Sequence, residues 1–112
     1  MTAKSAGEWR TAVFARDGHR CQALHHVAAC SLRAQNAHHV VFLSHLTKET
    51  RWVVENGISL STWCHANAHA THNANIEPRR LREAVDAVNA IIDVSKNPEL
   101  RRPYFMGLEG IE

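Results

Sequence analysis

Hydrophobic and polar positions divide this chain into short segments with different periods. In residues 8–15, Trp9, Ala12, Val13 and Phe14 line one side of a helix that Gly18 stops. Val40-Val41-Phe42-Leu43 is β-favouring and nearly continuous, as in a short buried strand. Trp52-Val53-Val54 leads towards a second strand around Ile58 and Leu60, and Asn56-Gly57 interrupts the approach. Residues 61–73 are rich in alanine behind Ser61 or Thr62 as N-cap, which predicts a helix. Pro78 opens another helix running to about Val94, with Leu81, Val85, Val88 and Ile92 as its apolar stripe, supported by Ala84 and Ile91. The remaining segments lack a period: residues 1–7 are expected to fray, 21–30 and 44–51 read as loops, and Asn97-Pro98 ends the last helix.

The chemistry sits within this pattern. His38 and His39 open the first apolar run and Asn56 opens the second, while His65, His69 and His72 recur on one helix face. A two-strand hairpin packed on that helix would bring the first histidines against the later ones. Three or four imidazoles meeting at a point suit a transition-metal ion with open coordination positions.

The ordered set His38-His39, Asn56, His65 and His69 resembles the HNH endonucleases, including the nuclease domains of colicins. The nine-residue step from Asn56 to His65 and the four-residue step to His69 match that family's spacing. Arg16-Asp17-Gly18 and Cys21 extend the likeness upstream, so that it covers residues 16 to about 72. The resemblance implies an α+β fold: a small ββα-metal (His-Me finger) module with flanking N-terminal and C-terminal helices. It implies one nuclease domain over residues 1–112, with its core at about 16–72, a C-terminal helix at about 78–95 and a basic-aromatic tail at 96–112. It implies hydrolysis of DNA phosphodiester bonds with one divalent ion (magnesium, manganese, nickel or zinc). In this reading His39 is the general base and Asn56 orients it, while His38, His65 and His69 hold the metal. Relatives of this type occur in phages and mobile elements. His72 lies beyond the family pattern.

Composition adds a few constraints. The 112 residues suit one domain with a modest core, and 45% are hydrophobic and 21% charged. A formal net charge of +2 is too small to announce a nucleic-acid partner, so local clusters must carry that reading. Arg79, Arg80 and Arg82 at the start of the last helix, with Arg101 and Arg102 in the tail, are the candidates for backbone-phosphate contact. Three cysteines argue against a disulfide scaffold and suit a reducing compartment. Many HNH relatives carry two Cys-x2-Cys pairs. Here Ser61 stands where one cysteine would be, and Leu24 occupies another position. Cys21, Cys30 and Cys64 can still hold a structural zinc with His25 or His26 as fourth ligand, or pack as buried thiols. No charged start leads into an apolar run, and no stretch approaches the roughly 20 apolar residues of a membrane span, so a cytoplasmic protein is expected.

Two rivals come from other classes. A catalytically silent zinc-binding module that touches DNA or a protein partner would explain the cysteines, but needs neither His39 nor Asn56. A zinc peptidase needs a glutamate directly after the first helix histidine, and Ala66 occupies that place. A two-Cys two-His finger also fails, because Cys21 and Cys30 are too far apart for its knuckle.

Overall fold

Ser5 starts the first helix by accepting a hydrogen bond from the Glu8 amide, and Glu8 answers by accepting from the Lys4 amide. Helix α1 then spans Ala6–Arg16. The computed structural model describes residues 1–95, with side chains through 91. After α1 come strand β1 (Asn36–His39), strand β2 (Gly57–Leu60), helix α2 (Thr62–Ala70) and helix α3 (Pro78–Ser95). The result is an α+β arrangement of three helices and one two-stranded antiparallel sheet among the described residues. The expected basic-aromatic tail, with Arg101 and Arg102, lies outside those residues.

The register pairs Asn36 with Leu60 and His39 with Gly57. Alternation along β1 sends Ala37 and His39 towards α1, and His38 to the opposite face. Strand β2 is buried at all four positions because both faces of the sheet are covered. On one side Trp9 and Val13 of α1 pack with Val54. On the other, Ile58 and Leu60 meet Cys64 and Ala68 of α2 and Leu81 and Ala84 of α3. A third apolar group joins Val41 and Val53 to Val85 and Val88.

Three expectations need correction. The run from Val40 to Leu43 is not the strand: β1 ends at His39, so the histidine pair closes the strand instead of opening it. Val40 and Val41 are buried as expected, but Asn56 holds their backbone in place of ladder bonds to a regular partner strand. Residues 1–7 are not frayed, since the Ala3 amide donates to the Trp52 carbonyl and the Val54 amide donates to Met1. Helix α2 stops at Ala70, short of residue 73. His72 and Asn73 adopt φ of 52° and 66°, and the Asn73 amide reaches back 2.8 Å to the Ala68 carbonyl, closing the helix as a Schellman motif does. His72 therefore leaves the helix face shared by His65 and His69.

Asp17 ties the layers together. Its carboxylate accepts from Arg16, from the Ser59 amide of β2 at 2.9 Å and from Arg80 of α3 at 3.4 Å. Burial acts to raise the Asp17 pKa, but the bonds from Arg16 and Ser59 outweigh it and hold the carboxyl below its ordinary value. A depressed folded pKa gives stability that is present above the unfolded value and lost as pH falls through the folded one. Denaturant midpoints should therefore drop below about pH 4, where the ordinary carboxyl of 3.8 titrates, and Asp17→Asn should flatten that acid limb. An unchanged limb in the variant would remove Asp17 from the account.

Gly57 is required by close approach. A Cβ there would run into Val13 Cγ2 and lie 2.8 Å from Trp9 Cζ2. Gly57→Ala should cost about 1–3 kcal/mol, the usual scale for overpacking, read as a lower urea midpoint at unchanged slope.

Candidate metal centres

Two groups of side chains can each hold a metal ion. In the first, β1 supplies His38 and α2 supplies His65 and His69. One ring nitrogen from each lies within 4.8 Å of the others. His65 and His69 sit one helical turn apart, and their Nε2 atoms face each other at 3.2 Å. Two nitrogens on one tetrahedral ion, each about 2.0–2.1 Å from it, are about 3.3 Å apart, so this pair already spans one edge of a coordination polyhedron. His38 is fully buried, His65 half-buried and His69 exposed, so the cluster runs from the interior to solvent. Phe42 walls one side, stacked on His69 at 4.9 Å and edge-on to His38 at 5.9 Å.

The electrostatics favour neutral rings at His38 and His65, the form that ligates metal. Burial lowers the His38 pKa to about 3, helped by the neighbouring His65, His69 and His39 and opposed only by a hydrogen bond to Asn73. Burial likewise lowers His65, and His69 and His39 add to the effect. His38 Nδ1 is buried and has no hydrogen-bond partner. An unpaired buried lone pair is costly, and a metal ion would satisfy it.

His39 stands on the other face of β1 and does not join the cluster. Its ring stacks on Trp9 at 4.1 Å, and its Nε2 lies 3.0 Å from the Arg51 carbonyl. A carbonyl only accepts, so Nε2 carries the proton and Nδ1 keeps its lone pair. Burial lowers the pKa of this ring as well, against the Arg51 bond. Asn56 is fully buried. Its Oδ1 accepts from the Val41 amide at 2.7 Å and its Nδ2 donates to the Val41 carbonyl at 3.1 Å. It thus clamps the backbone just beyond the histidine pair, and among the described residues both of its side-chain hydrogen bonds go to Val41 and none to an imidazole.

The second group comprises Cys21, His26, Cys30 and Cys64, whose donor atoms also lie within 4.8 Å of one another. His26 Nδ1 is 3.2 Å from Cys30 Sγ and 4.0 Å from Cys64 Sγ. Those values bracket the roughly 3.5 Å edge of a tetrahedral zinc with one S and one N ligand. The structure thus takes His26, not His25, of the two histidines that the sequence leaves open. All three thiols are free. Burial acts against a Cys30 thiolate, but the Ser61 hydroxyl, the Leu32 amide and the Cys64 and Cys21 thiols outweigh it and bring Cys30 to about 6. Ser61 also caps α2 by accepting from the Cys64 amide at 3.2 Å. These donors fit a zinc ion, and the group can hold one.

The arginines at the start of α3 do not gather beside the histidines. Arg79 lies 3.9 Å from Glu77 and 3.8 Å from Glu83, and Arg80 pairs with Asp17. Both line a hollow with Arg16, Glu55 and Glu83 that none of the histidines enters. Arg82 is exposed and forms no ion pair among the described residues. No described helix is long and apolar enough to cross a membrane. No family model, curated protein or solved structure matches this chain.

Proposed function

We propose that this protein is a metal-dependent DNA endonuclease of the HNH type, with β1, β2 and α2 as its ββα-metal core. The observation that carries the reading is the convergence of His38, His65 and His69 on one point, with His39 next in the chain on the other face of β1 and in a fixed tautomer. Three nitrogen ligands leave coordination positions open, as catalytic sites require and structural zinc sites do not. A bound divalent ion supplies the positive charge that stabilises the phosphate and the leaving oxygen. The residues do the rest. His39 donates Nε2–H to Arg51, so Nδ1 is left to take a proton from the attacking water. Asn56 holds the chain at Val41 and so fixes the end of β1 from which His39 projects.

DNA would be bound mostly through backbone phosphates. Arg82 is the freest of the three arginines at the start of α3, because Arg79 and Arg80 face carboxylates. The Cys21-His26-Cys30-Cys64 group favours a second reading, a zinc module that binds DNA or a protein partner without cutting. That reading gives the histidine cluster no task. Incubation with supercoiled plasmid and magnesium, manganese, nickel or zinc separates the two. Relaxed or linear DNA that disappears under chelation is expected, and intact plasmid with every ion would leave the binding module.

A further inference from the structure

Asn73 lies just past α2, in a loop that the sequence pattern does not single out. Its side chain is nearly fully buried and makes two hydrogen bonds. Nδ2 lies 2.9 Å from the Val40 carbonyl, and Oδ1 lies 2.7 Å from His38 Nε2. The Val40 carbonyl can only accept, so the amide nitrogen must face it and the amide oxygen must face His38. An amide oxygen can only accept in turn, so His38 Nε2 must carry the ring proton. The remaining nitrogen, Nδ1, then holds the lone pair, and it is the atom left buried without a partner.

We infer that Asn73 is a positioning residue that fixes the tautomer of His38, so that His38 ligates metal through Nδ1 while His65 and His69 ligate through Nε2. The inference rests on the histidine metal site but not on the hydrolysis proposed for it. A ligating histidine commonly donates its other N–H to a fixed acceptor, which orients the ring and raises its basicity. Here the acceptor is itself held at both ends. The Schellman closure of α2 sets its backbone at a φ of 66°, a conformation that asparagine tolerates better than most residues. Its amide also bonds Val40, two residues beyond His38. One side chain therefore couples the end of α2, which carries two of the ligands, to the strand that carries the third.

The test reads nitrogen protonation directly. Long-range proton–nitrogen NMR of labelled protein at neutral pH, without added divalent ion, should show His38 protonated at Nε2 and bare at Nδ1. The signals are assigned by their loss in His38→Gln. On titration with cadmium-113, the His38 nitrogen coupled to the metal should be Nδ1. Asn73→Gly keeps the backbone conformation without the side chain. It should mix the His38 tautomers and weaken cadmium binding by about 10–100-fold, the usual effect of losing such an outer partner. Asn73→Asp retains an acceptor for Nε2–H and should restore the single tautomer. A His38 protonated at Nδ1, or coupled to cadmium through Nε2, would overturn the inference with the metal site intact. Absence of any cadmium coupling to the three histidines would overturn the site and the ligand assignment together.

Discussion

Replacing His39 with alanine should slow phosphodiester cleavage by roughly 10²–10⁴-fold, the scale of a lost general base, while metal still binds. The separation follows from the fold. His39 points towards Trp9, whereas His38, one residue earlier, points towards α2 and the other two ligands. Alanine also removes a ring stacked on Trp9, so part of any loss could come from loosened packing. His39→Gln retains most of the bulk and separates the effects, because it fills the space without an imidazole to accept the proton. Both variants should bind cobalt or cadmium like the parent and both should be slow on plasmid DNA. Parent-like cleavage by either would remove His39 from the chemistry.

Loss of the second ion should have an effect of comparable size on stability. If Cys21, His26, Cys30 and Cys64 hold zinc, its binding energy is coupled to folding, since the unfolded chain has no preformed site. The group joins the 21–30 loop to α2 through Cys64, which is fully buried beneath the sheet. Protein purified without added metal should carry near-stoichiometric zinc besides any ion at the histidines. Cys64→Ser should lose that zinc and unfold at markedly lower temperature or urea concentration. His26→Ala should do so too, whereas His25→Ala should not. A well-folded parent free of zinc would sink this part of the account.

Much of the fold could be read from the chain because its apolar spacing is regular. The stripe of Leu81, Val85 and Val88 places α3, and Trp9 with Val13 places α1. The strands are less legible in the sequence. Val40 and Val41 look like strand residues because they are buried and β-branched, yet tertiary hydrogen bonds from Asn56 satisfy their backbone where a ladder would otherwise run. Asn73 tolerates the left-handed turn after Ala70, but the alanine-rich run before it predicts that α2 continues to residue 73. In the site, the i, i+4 spacing of His65 and His69 fixes a shared helix face from sequence alone. The choice of His26 over His25 depends on how a loop without periodicity folds, and no local pattern encodes it. Asn73 is hidden for a similar reason: its partners, His38 and Val40, lie more than thirty residues earlier in the chain. The arginines of α3 cluster in the sequence, and in the fold Arg79 and Arg80 face Asp17, Glu77 and Glu83 while Arg82 stands exposed.

The most direct test of the account is to measure metal occupancy and DNA nicking on the same samples. Parent protein and His65→Ala would be titrated with cobalt(II), following its electronic spectrum and the relaxation of supercoiled plasmid together. In the parent, nicking should rise in step with a spectrum of nitrogen-ligated cobalt and vanish when a chelator removes the ion. His65→Ala should lose both, because it removes a ligand that the helix supplies. Nicking that persists in His65→Ala, or a parent that binds cobalt at the histidines yet never cuts, would contradict the claim that this cluster is the catalytic centre.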